Sequence, residues 1–331
     1  MSITIKDVAK AAGVSVATVS RVLNGSSAVS EETAKIVNDV IGELGYSPNL
    51  LGRNLRKRQT KNILIIVPTT GSFYGGVIKG IQDEVESEYD VLIACGYSTK
   101  STELRLLGML SNHTVDAAVL MGTRVDAATL DQLSAVYHIG LCSESVEGSN
   151  TLTVLIDNRQ AAYDVITRFI AKGRRRIGLV TTNDEIIAPS SDDRLKGYID
   201  ALTENGIEIR DEYIYRHDYE YTSGAEAAAH FLSLPEPPEA VLCISDLLAA
   251  GFIKEAMRHG VKIGSDMDVC GFDNVELCEI YTPMITTVAQ PAYQMGRTCA
   301  RSLVSSLKAG RTSHGTIVMQ HEIIVRESAK I

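Results

Sequence analysis

The chain has 331 residues, of which 45% are hydrophobic, and a formal net charge of −9. This length and composition suffice to bury a core in two or three domains, which excludes an intrinsically disordered chain. No apolar run approaches the roughly 20 residues that would span a bilayer, and the first residues lack the apolar segment of a signal peptide. We therefore expect a cytoplasmic protein without a membrane partner.

The charge is distributed unevenly along the chain. Residues 1–60 contain eight Lys or Arg against five Asp or Glu, a net charge of +3, which leaves −12 for residues 61–331. A positive segment is attracted to the phosphates of DNA, whereas an acidic segment is repelled by them. This asymmetry predicts that DNA contacts come from the N-terminal part of the chain.

The first two predicted elements are short helices joined by a tight turn at Gly13. Each has one apolar face, which consists of Val8, Ala9 and Ala12 within residues 5–12, and of Val19, Val22 and Leu23 within residues 14–24. The opposite face of the second helix carries Ala17, Ser20 and Arg21, and we expect it to lie outward. Such a pair predicts a helix-turn-helix, whose second helix lies in the major groove of DNA.

Two further helices are predicted before residue 61. One covers about residues 31–44, with Ser30 as its N-cap and Gly45 at its end. The other begins at Ser47 and Pro48 and is short and basic, with Arg53, Arg56, Lys57 and Arg58 close together. Because these charges repel one another, we expect this helix to form only when phosphates neutralise them. The alternative is a solvated linker with an incidental run of charge.

Several short motifs in residues 3–61 occur together in the order of a known family. They are Ile-Lys-Asp-Val-Ala at 5–9, Val-Ser at 14–15, Thr-Val-Ser-Arg-Val-Leu-Asn at 18–24, Gly-Tyr-Ser-Pro-Asn at 45–49 and Arg-Asn-Leu at 53–55. This segment resembles the headpiece and hinge of the lactose/galactose repressor (LacI/GalR) family of bacterial transcriptional regulators. One departure is Gly52, where the family usually has alanine; glycine should weaken the hinge helix by about 1 kcal/mol.

The resemblance implies which residues contact DNA. Val16, Ala17 and Arg21 would read an operator half-site, and an arginine can bond a guanine edge bidentately. Leu55 would insert into the minor groove at the centre of a palindromic, double-stranded operator. The predicted DNA-binding residues are Val16, Ala17, Ser20, Arg21, Asn24, Arg53, Leu55 and Arg56.

After Lys61 the pattern changes to continuous apolar runs separated by helical segments. These runs lie at residues 62–68, 91–95, 117–121, 177–180, 240–244 and 269–272. Alternating strands and helices predict parallel sheets, and the length suggests two lobes with a ligand cleft at the carboxyl ends of the strands. Residues 61–331 resemble the family's effector-binding core, which is built like a periplasmic sugar-binding protein with three crossovers.

The predicted fold class is α/β, with an all-α helix-turn-helix headpiece and a two-lobed, periplasmic-binding-protein-like core of parallel sheets. The predicted domains are the headpiece at 1–46, the hinge helix and linker at 47–61, and the effector-binding and dimerisation core at 62–331. Within the core, the N-terminal lobe takes about 62–157 and 291–315, and the C-terminal lobe takes about 158–290 and 316–331.

Polar residues at predicted strand ends are candidates for binding an effector. Arg194, in Asp-Arg-Leu-Lys-Gly at 193–197, resembles the family's R-x-x-G arginine at a helix start, and Asp273 matches a family aspartate. The predicted effector-binding residues are Phe73, Asp157, Arg194, Tyr219, Ser245 and Asp273. Arginine facing carboxylates suits a polyol, which favours a sugar or glycoside. The alternatives are helix caps for Asp157, Asp246 and Asp273, and a surface charge for Arg194.

Other functional classes are less well supported by the sequence. No Rossmann, P-loop, G-x-S-x-G or H-E-x-x-H motif indicates an enzyme, and no cofactor is expected. The six cysteines include no C-x-x-C pair, which favours buried reduced thiols over disulfides or a metal site. A periplasmic binding protein would fit the core but not the DNA-binding head or the missing signal peptide.

The predicted assembly is a homodimer on a palindromic operator, because the chain stops without the leucine heptad tail with which the lactose repressor forms tetramers. We expect a repressor of a carbohydrate-utilisation operon that a sugar-type inducer releases from the operator. The alternative is a regulator that needs a purine or a phosphocarrier protein as corepressor.

Overall fold

The computed structural model describes residues 3–23, 28–46, 59–96, 99–183 and 188–331. The chain divides into two compact units, residues 1–59 and residues 60–331. Within the described residues, no helix combines the length and the apolar character that crossing a membrane requires.

The first unit contains α1 (Ile5–Ala11), α2 (Val16–Leu23) and α3 (Glu31–Leu44). Its core consists of Val8, Ala9, Val19 and Val37, all buried. The hydroxyl of Ser30 accepts a hydrogen bond from the backbone N–H of Thr33 at 3.3 Å, and Gly45 ends α3 with a φ of 59°. The helix-turn-helix and the capped third helix are thus confirmed. The predicted hinge helix falls on residues 47–58, outside the described residues.

The second unit contains two sheets, each of six strands among the described residues. The first sheet has the parallel order β11-β5-β4-β3-β1-β2, and the second has the order β12-β10-β9-β8-β6-β7, in which β12 is antiparallel to β10. The strands of the first sheet are β1 (Asn62–Val67), β2 (Asp90–Cys95), β3 (Ala117–Leu120), β4 (His138–Cys142), β5 (Leu152–Ile156) and β11 (Thr316–Met319). Those of the second are β6 (Ile177–Thr182), β7 (Ile214–His217), β8 (Ala240–Cys243), β9 (Asp268–Asp273), β10 (Thr286–Ala289) and β12 (Glu322–Ile324).

Helices cover the faces of both sheets. They are α4 (Ser72–Val85), α5 (Lys100–Ser111), α6 (Ala127–Ser134), α7 (Asn158–Ala171), α8 (Pro189–Glu204), α9 (Tyr221–Ser233), α10 (Asp246–Arg258), α11 (Leu277–Ile280) and α12 (Ala292–Ala309). The strand bodies β1, β3, β6, β8 and β9 are almost fully buried because helices pack on both sides of a parallel sheet. All six predicted strands are confirmed.

The chain passes between the two sheets three times within the described residues: after β5, after β10 and after β11. The predicted lobe boundary near residue 315 needs one correction. Because β11 pairs with β5 over residues 316–319, the return segment of the first lobe extends to Met319. The last crossover therefore lies between Met319 and Glu322.

Close packing of α7 against α8 fixes the helix that carries Arg194. A Cβ atom added at Gly197 would lie 2.1 Å from the carbonyl oxygen of Arg159. Only glycine permits this approach, so the glycine of the R-x-x-G motif allows the two helix backbones to touch. The position of Arg194 then follows from the position of α7.

Candidate effector cleft and DNA-binding surface

The outer face of α2 carries the predicted base-reading residues. Val16, Ala17 and Arg21 are exposed, whereas Ser20 is half-buried. The side chain of Val16 is apolar but 42% exposed, so it does not pack inside the unit and is accessible for contact with DNA. Four predicted DNA contacts lie outside the described residues, namely Asn24, Arg53, Leu55 and Arg56.

Arg194 is buried at the carboxyl ends of the second sheet's strands and is 5% exposed. Its Nε donates to Oδ1 of Asn158 at 2.9 Å, and its Nη1 donates to the carbonyl of Ile244 at 2.6 Å. Its guanidinium carbon lies 3.6 Å from the centroid of the Phe272 ring. Among the described residues Nη2 has no hydrogen bond, so this donor pair is available to a ligand. The surface-charge alternative for Arg194 is wrong.

The helical position of Arg194 differs from the prediction. The sequence placed it at a helix start, but α8 begins at Pro189, so Arg194 is the sixth residue of the helix. The residues that occupy the start of α8 are Ser190 and Ser191, both buried. The hydroxyls of these two serines each contribute a hydrogen bond to the cleft.

Asp273 ends β9 with a φ of 113°, a conformation that non-glycine residues rarely adopt and that concentrates at functional sites. Its Oδ1 accepts a hydrogen bond from Nε2 of Gln290 at 2.7 Å. The pKa of Asp273 is raised to about 7, chiefly by burial; the charge of Arg194 opposes this increase, and the charges of Asp246 and Glu144 contribute to it. Asp273 and Arg194 therefore act on each other in one cleft.

Two tyrosines share this environment. The hydroxyl of Tyr219 lies 2.5 Å from that of Ser191. Burial raises the pKa of Tyr219 to about 12, and the charges of Glu144 and Asp273 contribute to the increase. Burial also raises the pKa of Tyr74, again with contributions from Glu144 and Asp273. Because Tyr74 belongs to the first lobe and Tyr219 to the second, the cleft has an aromatic ring from each.

A carboxylate of the first lobe bridges to the second. Glu144, just after β4, accepts hydrogen bonds from the hydroxyl of Ser190 at 2.5 Å and from its backbone N–H at 3.1 Å. Ala188, the N-cap of α8, offers no side-chain bond, so Glu144 caps this helix from the other lobe. Burial raises the pKa of Glu144 and the bonds from Ser190 oppose that increase.

The other predicted effector residues have mixed positions. Ser245 caps α10 by accepting from the N–H of Leu248 at 3.3 Å, and it follows Ile244, whose carbonyl binds Arg194. Phe73 is half-buried, and its ring centroid lies 5.6 Å from that of Tyr74. Ser245 and Phe73 are thus immediate neighbours of residues that take part in the cleft.

Asp157 lies next to Asn158, whose Oδ1 accepts a hydrogen bond from Arg194, but among the described residues Asp157 itself makes no hydrogen bond to Arg194 or Asp273. It is exposed and caps α7 by accepting from the N–H of Gln160 at 2.9 Å. The helix-cap alternative is thus confirmed for Asp157 and not for Asp273, which ends a strand. Asp157 instead borders a surface cavity of about 410 Å³ lined by Asp157, Arg159, Gln160, Tyr163, Asp200 and Glu204.

Metal binding finds no support in the described residues, which contain no group of three or more His, Cys, Asp or Glu able to hold an ion. All six cysteines are free, and five of them are buried. Burial raises the pKa of Cys243 and Cys270, so these thiols stay protonated and unreactive.

Comparison with known proteins identifies the two parts of the chain. Residues 4–49 match the family described as bacterial regulatory proteins, lacI family, and residues 166–329 match a periplasmic binding protein-like domain. Over 330 residues the chain is 34% identical to the HTH-type transcriptional repressor CytR of Escherichia coli (strain K12), covering 99% of this chain and 96% of that protein. The chain belongs to the lacI family.

Solved structures agree with this assignment. The complex of the transcriptional regulator CelR with cellobiose is 29% identical, with a TM-score of 0.73 over 99% of this chain and 100% of that one. The lac repressor dimer bound to operator and an anti-inducer is 23% identical, and its TM-score of 0.86, over 99% of each chain, shows the same fold. This lacI-family protein is a DNA-binding transcriptional regulator and not an enzyme.

Proposed function

We propose that this lacI-family member is a cytoplasmic repressor of a carbohydrate-utilisation operon, and that a small sugar or glycoside bound between its lobes releases it from a palindromic operator. The observation that carries the proposal is the cleft itself, where the charge of Arg194 acts on the carboxyls of Asp273 and Glu144 and on the hydroxyls of Tyr74 and Tyr219. The cellobiose complex of CelR, a relative with the same two lobes, supports a sugar as ligand.

The charges of the cleft favour a neutral polyol over an anion. Each sugar hydroxyl both donates and accepts, so a carboxylate and a guanidinium can bind adjacent hydroxyls. The single positive charge of Arg194 is shared by two carboxyls, Asp273 and Glu144. The pKa values of both are raised, which indicates that this one positive charge does not fully stabilise two negative charges in the buried cleft. A phosphate or carboxylate on the effector would add to this repulsion. A sugar ring also suits the aromatic faces of Tyr74 and Tyr219.

The bond between Glu144 and Ser190 gives the effector a means of changing the lobe arrangement. The Glu144–Ser190 bonds already join the two lobes, and a ligand that contacts Arg194 and Tyr74 would change the strength of these bonds. By linkage, an effector that weakens operator binding must itself bind more weakly, by the same factor, when operator is present. Equal effector affinity with and without operator would contradict the proposal.

The experiment is a thermal-shift screen of the full chain against neutral sugars, glycosides, sugar phosphates and nucleobases. It is repeated with and without a palindromic operator selected from random DNA. A ligand at 100 times its dissociation constant should stabilise the protein by about 2.7 kcal/mol. A neutral sugar that stabilises the protein, and does so less with operator present, supports the proposal. A purine whose effect is strengthened by operator would replace the inducer with a corepressor.

The proposed homodimer is supported by exposed apolar side chains in both lobes. Leu92 and Ile93 are 37% and 52% exposed on β2, which ends the first sheet. In the second lobe Met257 and Ile280 are 45% and 72% exposed and line a surface groove of about 490 Å³. A two-fold dimer that covers both pairs would remove these four side chains from water.

Ile280→Asp is expected to weaken the dimer at least about tenfold, because it would place a charge in an apolar interface. Sedimentation of the variant at micromolar concentrations should show monomer where the unmodified chain shows dimer. Val136→Asp is the control, since Val136 is 68% exposed but borders neither surface. Loss of the dimer in both variants, or in neither, would contradict this interface.

Arg21→Ala is expected to cost about 1–3 kcal/mol of operator affinity and to relax the preference at one base position, because a bidentate guanine contact would be lost. Binding to the selected operator and to variants of each half-site position provides the measurement. Lys35→Ala, on the exposed side of α3, is the control for a change of charge alone. Equal losses on operator and on scrambled DNA would show that Arg21 contacts only phosphate.

A further inference from the structure

The first two residues of the core, Thr60 and Lys61, are held by a single carboxylate. Asp116, just before β3, accepts hydrogen bonds at Oδ1 from the backbone N–H of Thr60 at 2.7 Å and from its hydroxyl at 2.9 Å. Its Oδ2 accepts from the backbone N–H of Lys61 at 2.9 Å. Three charge-assisted bonds therefore fix the two residues that directly follow the DNA-binding unit, which ends at residue 59.

Lys61 is fixed in an unusual conformation by further contacts. Its φ of 62° lies in the left-handed region, which residues other than glycine rarely adopt. Its carbonyl accepts a hydrogen bond from the backbone N–H of Asp90 at 2.7 Å, and its ammonium lies 4.5 Å from the centroid of the Tyr89 ring. Groups next to β2 and β3, the two strands that flank β1, thus determine the direction of the chain at this point.

This attachment lies at the end of the sheet opposite the effector cleft. Asp116 precedes β3 at its amino end, whereas Glu144 and the rest of the cleft lie beyond the carboxyl ends of the strands. Strands β1 and β3 pair from Ile63 with Ala117 to Ile66 with Leu120, and all eight residues are buried. Because such a ladder moves as one body, a rotation of the first lobe displaces Asp116, and Thr60 with it.

We propose that Asp116 is a positioning residue that holds the two DNA-binding units of the dimer at the separation a palindromic operator requires. This inference rests on the proposed homodimer. When one unit is bound, the second reaches its half-site with an effective concentration that depends on how tightly its attachment is fixed. Removing the Asp116 bonds would leave each DNA-binding unit intact but free Thr60 from the core. The attachment of the unit would then be longer and less fixed, and the effective concentration of the second unit at its half-site would fall.

The second lobe offers a matched control for the same local structure. Glu239, just before β8, accepts hydrogen bonds at Oε2 from the backbone N–H groups of Arg175 at 3.0 Å and Arg176 at 3.2 Å. Those two residues precede β6, which pairs with β8 as β1 pairs with β3. Glu239 therefore supports the start of a strand in the way that Asp116 does, but its donors connect α7 to β6 and not the DNA-binding unit.

The experiment compares Asp116→Ala with Glu239→Ala in the full chain. Affinity is measured at one salt concentration for the selected palindrome and for a duplex of equal length with one half scrambled. For Asp116→Ala we expect the ratio of the two affinities to fall by about tenfold while affinity for the single half-site stays within about twofold. For Glu239→Ala we expect the affinity ratio and the affinity for the single half-site to stay within about twofold of the unmodified chain, although the melting temperature of this variant falls.

Other outcomes separate the possible failures. If the unmodified chain shows no preference for the palindrome, the proposed dimeric mode of binding fails, whatever Asp116 does. If that preference exists and Asp116→Ala retains it, the inference about Asp116 alone is overturned. Equal losses in Asp116→Ala and Glu239→Ala would assign Asp116 a general structural role and also overturn it.

Milder variants cover the case in which Asp116→Ala does not fold. Thr60→Val removes only the hydroxyl bond, and Asp116→Asn keeps one acceptor oxygen but turns an amide N–H toward Lys61. We expect the palindrome preference to fall in both, and more in Asp116→Asn because it loses the Lys61 bond. Folded variants with an unchanged preference would reject the proposal.

Discussion

Arg194→Ala is expected to abolish the effector response, with at least about a thirtyfold loss of effector affinity, while operator affinity stays within about twofold of the unmodified chain. The guanidinium is the cation that Asp273 faces, and its unused Nη2 is the donor pair that a ligand hydroxyl would meet. Truncating one partner of a buried charged hydrogen-bonding group costs about 2–5 kcal/mol in binding. The DNA-binding unit, residues 1–59, does not contain this residue.

The same substitution also destabilises the core, so the experiment needs a control for folding. Arg194→Ala leaves Oδ1 of Asn158 and the carbonyl of Ile244 without their partner, at about 1–3 kcal/mol for each buried group. Tyr198→Phe is the matched control on the same helix, because it removes the 2.7 Å bond from the Tyr198 hydroxyl to the carbonyl of Ile177.

Operator release by the sugar identified in the screen is then measured by fluorescence anisotropy for both variants. We expect release to be lost in Arg194→Ala and retained in Tyr198→Phe, although both melt at lower temperature. An Arg194→Ala variant that still releases operator at the normal sugar concentration would remove this residue from the site. Loss of release in both variants would attribute the effect to destabilisation of α8.

The headpiece could be predicted from sequence almost completely, because its signals are local. Ser30 and Gly45 mark the ends of α3, and the spacing of apolar residues identifies the buried faces of α1 and α2. The strands β1, β3, β6, β8 and β9 were likewise recognisable as continuous apolar runs. Strand β11 was not predicted, because the apolar run at residues 317–319 is too short for its spacing to identify a strand.

The effector cleft could be predicted only in part, because its contacts join residues far apart in sequence. Arg194 and Asp273 were predicted through the family's motifs, and the structure places the guanidinium carbon of Arg194 3.6 Å from the ring centroid of Phe272, the residue before Asp273. Glu144 was missed, although it follows a buried strand as Asp157 does, because its partner Ser190 lies 46 residues away in the other lobe. Tyr74 was also missed, and its neighbour Phe73 was chosen. Without the position of the helix start, the sequence does not indicate which of these two adjacent rings faces the cleft.

Asp273→Asn is expected to stabilise the protein by roughly 2–4 kcal/mol at pH 8 and to leave its stability nearly unchanged at pH 4. Burial raises the pKa of Asp273 from 3.8 to about 7, and each tenfold change in proton affinity corresponds to about 1.36 kcal/mol. The folded protein thus keeps this proton up to about pH 7, whereas the unfolded chain releases it near pH 4. The stability of the unmodified chain therefore falls as the pH rises through this window and is constant above it.

Asparagine is a suitable replacement because it matches the shape of aspartate and tolerates a positive φ. Its amide oxygen can still accept the bond from Gln290. The measurement is the difference in melting temperature between Asp273→Asn and the unmodified chain at pH 4, 6 and 8. We expect this difference to grow with pH, to at least about 4 °C at pH 8. A difference that is the same at all three pH values would contradict a raised pKa at Asp273.

Asp200→Asn provides a control of opposite sign. The hydrogen bond from Arg159 lowers the pKa of Asp200, so this ionised carboxylate stabilises the fold at neutral pH and loses that contribution as the pH falls through its folded pKa. Asp200→Asn should therefore be slightly less stable than the unmodified chain at pH 8, with the difference vanishing in acid. Opposite trends in the two variants would show that the carboxylate of Asp273, which lacks sufficient opposing charge in the cleft, reduces the stability of the fold above pH 7. An effector hydroxyl would donate a hydrogen bond to this carboxylate. At pH 8, Asp273→Asn should therefore be more stable than the unmodified chain and should bind the effector more weakly.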